Sequence, residues 1–214
     1  MNKYIAEFVG TFALVFCGTG AIIINEVSQG TVTHVGIALT FGLIVMAMIY
    51  TYGEVSGAHI NPAVTLGFYT AGRLALKEVP YYIISQVLGA VLASLTLSWL
   101  FADSHYLGAT LPAGSWQQTF FLEIILTFFL MLVIINVATG SKEQGLMAGI
   151  AIGATVALEA MFAGPISGAS MNPARSLGPA VVSGNLQFLW IYLVAPGLGS
   201  IMSVLVWKIT VNTN

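Results

Sequence analysis

The sequence is poor in charge. Only 7% of its 214 residues are Asp, Glu, Lys or Arg, against 57% hydrophobic, whereas a soluble domain carries about 25% charged residues. A soluble protein so depleted would expose apolar patches and aggregate, so the composition points to a membrane protein. The net charge of −2 says nothing about nucleic acid, but there is no basic run to bind it, so none is expected as a partner. The single cysteine, Cys17, excludes an internal disulfide and a multi-cysteine metal cluster. It lies in an apolar run and reads as packing. No nucleophile–base–orienter set and no metal-ligand spacing occurs, so neither enzyme chemistry nor a metal or cofactor is expected. A cleavable leader is not expected either: Glu7 interrupts the apolar stretch after Lys3, and no small-residue cleavage site follows.

What the sequence has is long apolar runs. A membrane span needs about 20 mostly apolar residues, and stretches 4–25, 34–53, 80–102, 118–138, 145–163 and 187–210 qualify. The runs are continuous rather than alternating, which predicts helices and not a β-barrel. Two apolar stretches, 61–72 and 172–183, are too short to span. Each opens on Asn-Pro, a helix start in which Asn caps and Pro gives up an N–H that has no partner there.

Lys3, Arg73, Lys77, Lys142 and Lys208 fall at the two termini and in the links between spans two and three and spans four and five. Six spans put these regions on one side, and the excess of cations makes that side cytoplasmic. Arg175 breaks the rule. A cation in an apolar segment is a functional candidate.

Two stretches repeat: "SGAHINPAVT" at 56–65 and "SGASMNPARS" at 167–176. Around them, "EFVGTF" at 7–12 resembles "EIILTF" at 123–128, and "VGIALTFG" at 35–42 resembles "AGIAIGAT" at 148–155. Each half reads span, span, half-helix, span. Three full spans per half is odd, so the second half is inverted, and such repeats place their shared site near the bilayer midplane. The expected units are repeats 1–102 and 118–214, joined by an extracellular loop at 103–117 that contains "PAGS". Asn61 and Asn172 then meet mid-membrane. The polar stretches before them are non-helical and must line water or be buried by protein. Carbonyls of Gly57, Ala58 and His59, and of Gly168, Ala169 and Ser170, are the expected lining of a narrow path.

These residues resemble the aquaporin family, the major intrinsic proteins, along essentially the whole chain. The resemblance rests on Asn61-Pro62-Ala63, on Asn172-Pro173-Ala174 with Arg175 after it, and on the matched Glu7 and Glu123. It implies an all-α membrane protein: an aquaporin-like bundle of six transmembrane helices plus two re-entrant half-helices in an inverted repeat. It also implies one pore per subunit, a homotetramer, and a multi-pass location in the plasma membrane with both termini cytoplasmic. Lipid, water and small neutral solutes are the expected partners.

Two half-helix N-termini facing one point create a positive potential, each worth about half a charge. Asn61 and Asn172 would cap these ends and also donate N–H to a passing oxygen. By resemblance, Phe41, Ala160 and Ala169 share an outer constriction with Arg175, with Gly42 after Phe41 anchoring the assignment. Arg175 would also pair with a loop carbonyl. Glu7 and Glu123 would accept hydrogen bonds from the two loops.

The sequence departs from strict water channels, which carry His where this chain has Ala160. Ser176 stands where glycerol channels usually carry Asp. "AGPISGASMNPARSLGP" at 163–179 looks most like the nodulin-like branch, of bacterial or archaeal type. Members of that branch carry water, glycerol, urea and neutral metalloid acids such as arsenous acid. The expected function is a passive channel for such solutes that excludes protons and ions. A strict water channel, an ion-coupled transporter and a poorly conducting structural protein are the competing readings. Glu54 and Glu159 are placed at the ends of spans two and five. His59 reads either as a gate or as a hydrogen-bonded neutral side chain. His34 and His105 are placed in extracellular loops, and Gly149 and Gly153 suit close helix packing.

Overall fold

The computed structural model describes residues 2–139 and 145–211. Lys142 lies outside the described residues. Six helices are long and apolar enough to cross a membrane. In chain order the long helices are α1 (Lys3–Val27), α2 (Thr33–Ser56), α4 (Val79–Leu100), α5 (Trp116–Thr139), α6 (Ala148–Ser167) and α8 (Leu189–Val211). The short helices are α3 (Pro62–Thr70) and α7 (Pro173–Ser183), and a single 3-10 turn, Leu76–Glu78, leads into α4. No strand occurs among the described residues. The architecture is the expected multi-pass helical bundle with two half-helices.

The halves interlock. The long helices pack as α1 on α4, α2 on α6, and α5 on α8. The half-helix α7 packs on α4 and α3 packs on α8, so each lies against a helix of the other half. Glycine permits these approaches. A Cβ on Gly89 would collide with the Phe8 carbonyl, and one on Gly199 with the Ile124 carbonyl. A Cβ on Gly42 would sit 2.5 Å from the Gly153 carbonyl oxygen, and one on Gly153 2.6 Å from that of Gly42. Without side chains the backbones approach closely and gain van der Waals contact, which drives helix association in lipid. The outer faces carry exposed Leu, Ile, Phe and Trp, the surface that hydrocarbon covers without cost.

One end of the bundle gathers cations. Lys3 pairs with Glu78 at 2.6 Å, and the Lys208 Nζ donates to the Thr70 carbonyl at 2.6 Å.

Three placements differ from expectation. The fifth span runs to Ser167, not to 163, although Pro165 lies inside it. Proline cannot donate to the carbonyl four residues back, here that of Met161, and His34 Nε2 contacts that carbonyl oxygen at 2.7 Å. His34 is therefore in the first turn of α2, not in a loop, and it supplies the partner that Pro165 withholds. Glu159 consequently sits about two turns inside α6 by helix pitch, 4% exposed, with its Oε2 unpartnered. Glu54 lies in the last turn of α2, as expected, and is exposed.

Candidate functional site

Both half-helices begin on a capped Asn. Asn61 Oδ1 accepts from Ala63 N at 2.8 Å. Asn172 Oδ1 accepts from Ala174 N at 3.0 Å and from Arg175 N at 3.3 Å. These bonds fix which side-chain atom is the oxygen, and so which is the donor. Asn61 Nδ2 donates to the Met171 carbonyl at 2.8 Å, and Asn172 Nδ2 donates to the Ile60 carbonyl at 2.9 Å. The two half-helix starts are thus tied to each other reciprocally. An amide NH₂ has two hydrogens, so each Asn keeps a second N–H.

The loops before them are unusual backbone. α2 ends on Gly57 at φ +84° and α6 on Gly168 at φ +81°. Ala58, Ile60, Ala169 and Met171 also have positive φ, between 40° and 53°, a region L residues avoid. Such strain persists only where the surroundings enforce it, and here two buried glutamates do so. Glu7 accepts from Ser56 Oγ at 2.7 Å, His59 N at 2.9 Å, Ile60 N at 2.6 Å and Gln86 Nε2 at 2.7 Å. Glu123 accepts from Ser167 Oγ at 2.8 Å, Ser170 N at 2.9 Å and Met171 N at 2.8 Å. Tyr82 and Tyr192 hydroxyls donate to the Ser56 and Ser167 carbonyls, each at 2.8 Å. With the N–H groups turned toward the carboxylates, the strained loops are held in one conformation.

A cavity of about 710 Å³ lies along these loops. Its wall includes Gly57, Ala58, His59, Asn61, Ala169, Ser170 and Asn172, with apolar Leu14, Val45, Val64, Ile152 and Val156. Phe41, Ala160, Ala169 and Arg175 all border it. Pro62, Ala63, Pro173 and Ala174 lie behind the wall, buried in the first turns of α3 and α7. Gly168 also lies outside the lining; a Cβ there would meet Thr110 at 3.0 Å.

Arg175 is 3% exposed. Its guanidinium carbon is 5.0 Å from the centroid of the Phe41 ring, a cation–π distance. Its Nη1 donates to the Gly108 carbonyl at 2.9 Å. His59 stacks on Phe68 at 4.5 Å, and its Nδ1 is 3.2 Å from Thr65 Oγ1. The Thr65 hydroxyl donates its hydrogen to the Asn61 carbonyl, while Thr65 Oγ1 accepts from Gln86 Nε2. Thr65 therefore has only an acceptor site left for His59, which assigns the Nδ1–H tautomer.

Sequence reasoning missed Gly108 and Thr110 in the loop at 103–117, Gln86 as a partner of Glu7, and Gly18, whose absent side chain makes room for the Phe41 ring. Only the glycine pattern carried a signal.

Residues 1–207 match the family described as Major intrinsic protein. The chain is 48% identical to Aquaporin NIP1-1 of Zea mays, over all of this chain and 76% of that one. It is 47% identical to Nodulin-26 of Glycine max, over 98% of this chain and 78% of that one. The solved structure of the aquaglyceroporin from Plasmodium falciparum superposes with a TM-score of 0.89 at 28% identity, covering 98% of this chain and 96% of that one. With the paired Asn caps, the two glutamate-braced loops and the cavity between them, these matches establish that the chain belongs to the major intrinsic protein family, a membrane channel for water and small solutes and not an enzyme.

Proposed function

We propose that Phe41, Ala160, Ala169 and Arg175 form the constriction that selects what passes, and that it admits glycerol, urea and neutral metalloid acids such as arsenous acid along with water. The observation that carries this reading is the Phe41–Arg175 contact at 5.0 Å on a cavity whose neighbouring wall positions, 160 and 169, are alanines. Arg175 donates to a solute oxygen and repels cations. The aromatic ring supports carbon atoms. The two alanines leave the width that a bulkier ring would fill. Pore diameter, lining donors and fixed positive charge together set selectivity. The similar Plasmodium falciparum protein is an aquaglyceroporin, which supports the wider filter over a strict water channel.

Deeper in the cavity, the second N–H groups of Asn61 and Asn172 donate to a water oxygen. That water points its hydrogens outward and interrupts a proton-conducting chain. The two half-helix N-termini add positive potential at the same place, so protons and cations are opposed while neutral molecules pass in file along apolar walls. Glu7 and Glu123 are structural acceptors that hold the loop carbonyls toward the path.

The two repeats, 1–102 and 118–214, are inverted copies, each with one half-helix; the first, expected at 61–72, is the shorter α3, which ends at Thr70, and the second, expected at 172–183, is α7. Matching glutamate, serine, tyrosine and asparagine bonds in both halves support this. The cations at one end of the bundle support cytoplasmic termini. A homotetramer in the plasma membrane rests on the family resemblance.

Stopped-flow light scattering on proteoliposomes tests the reading, with water, glycerol and arsenous acid. Clear glycerol or arsenous acid flux is expected; glycerol flux at the level of bare lipid would make this a strict water channel. Ala160→His is expected to cut glycerol flux roughly tenfold, as about 1.4 kcal/mol of added barrier would, and water flux by less. Equal losses in a folded protein would refute the filter assignment.

A further inference from the structure

Each half pairs the side chain two residues past the loop glycine with a hydroxyl six residues further on. In the first half the pair is His59 and Thr65, in the second Ser170 and Ser176. The third member differs. Thr65 receives Gln86 Nε2, from the membrane-spanning helix α4, at 3.0 Å. Ser176 receives Thr110 Oγ1, from the loop between α4 and α5, at 2.7 Å.

The second-half chain is directional. Ser170 Oγ donates its hydrogen to the Asn172 carbonyl at 2.9 Å. A hydroxyl has one hydrogen, so the 2.6 Å contact between Ser170 and Ser176 must be donated by Ser176. Thr110 then donates to Ser176. All three hydroxyls are buried, and each hydrogen has a partner. A fully satisfied buried network rigidifies what it joins, and a broken one leaves costly unpaired atoms.

The network joins two walls of the constriction. At one end is Ser170, next to Ala169. At the other is Thr110, two residues after Gly108, whose carbonyl holds Arg175. The loop around Gly108 is folded tightly: Leu107 and Gly108 both have positive φ, 50° and 69°, and a Cβ on Gly108 would lie 2.8 Å from Thr19 Cβ. Ala113 N bonds to the Ile166 carbonyl at 3.0 Å further along. Between these points, the Thr110–Ser176 bond is the loop's side-chain tie to the half-helix that bears Arg175.

We propose that Thr110 and Ser176 are positioning residues that set solute size selection: their hydroxyls register the Arg175-holding loop against the Ala169–Ser170 segment and so fix the width of the constriction. This rests on the reading of Phe41, Ala160, Ala169 and Arg175 as the constriction. Ser176 is the middle link of a neutral hydroxyl chain that reaches the loop between α4 and α5. Selectivity in this protein is thereby set partly from outside the pore lining.

The test uses the full chain in proteoliposomes, with water, glycerol and the five-carbon polyol xylitol as probes. Thr110→Val keeps the shape and removes the donor. It is expected to raise the xylitol-to-water permeability ratio at least about threefold, a barrier change well under one decade, with water flux retained. Thr110→Ser is expected to restore the original ratio, and Ser176→Ala to raise it as Thr110→Val does. A merely structural role would lower all fluxes together and leave the ratio unchanged; that result, or unchanged ratios in both variants, overturns the proposal. Should Thr110→Val fail to fold, Ser176→Ala carries the same test. Ala160→His in the same vesicles separates the two readings. If it shifts the glycerol-to-water ratio while Thr110→Val and Ser176→Ala do not, only the present proposal fails. If it does not, the constriction itself is misplaced and both fail.

Discussion

Glu123→Ala is expected to abolish water and glycerol flux and to lower stability by on the order of 5 kcal/mol, because a buried donor stripped of its acceptor costs about 1–3 kcal/mol. The carboxylate accepts from Ser167 Oγ, Ser170 N and Met171 N, and all three donor residues are buried. Two of them hold residues 169–171, where Ala169 and Met171 have positive φ. Without the acceptor these residues relax toward ordinary backbone, and the carbonyls and Asn172 lose their positions. The loss is comparable to the whole stability of a small domain, about 5–15 kcal/mol. Glu123→Gln keeps one carbonyl oxygen and most of the volume, so it should retain folding with reduced flux. Thermal unfolding in detergent followed by tryptophan fluorescence, with stopped-flow on the folded fraction, gives the readout. A wild-type melting curve for Glu123→Ala would show that the loop does not need its brace.

Gly18→Ala is expected to close the channel without unfolding it. The glycine faces the Phe41 ring so closely that a Cβ would collide with ring atoms. The ring is backed by α1 on that side and borders the cavity on the other, so it yields toward Arg175, 5.0 Å away. Narrowing at that point should lower water flux roughly tenfold, the effect of about 1.4 kcal/mol on a rate, and glycerol flux further. Gly20→Ala is the comparison on the same helix, since its Cβ would meet Leu97 at an ordinary 3.4 Å. The double variant Gly18→Ala with Phe41→Leu should recover water flux, a coupling expected only of residues in contact. Full flux in Gly18→Ala alone would mean that the ring has room to retreat elsewhere.

Much of this arrangement was legible before any coordinates. Membrane insertion follows from apolar composition, a property of each segment alone. Helix starts at Asn61 and Asn172 follow from capping, which involves residues two or three apart. The repeat of a whole motif then placed the two caps together by symmetry. The buried glutamates were recognised because a carboxylate inside a span has to be partnered.

Proline inside a helix leaves a carbonyl unpaired, and for Pro165 that carbonyl belongs to Met161. Pro165 does not end α6, because His34 meets the Met161 carbonyl 127 positions away in the chain. With α6 continuing to Ser167, Glu159 lies in its buried interior, and His34 lies in the first turn of α2 rather than in a loop. The loop at 103–117 was equally opaque. It has no periodicity, and its role depends on the Gly108 carbonyl, 67 positions from Arg175, and on the Thr110 hydroxyl, 66 from Ser176.

The division is therefore one of range. Spans, half-helices, their caps and the two-fold plan depend on local composition and on a pattern written twice, and these are readable in the chain. The fit of Phe41 against Gly18, the completion of α6 across Pro165 and the hold on Arg175 depend on partners far apart in sequence. They exist only once close-packed helices bring a bare α-carbon, an orphan carbonyl or a loop hydroxyl within bonding distance.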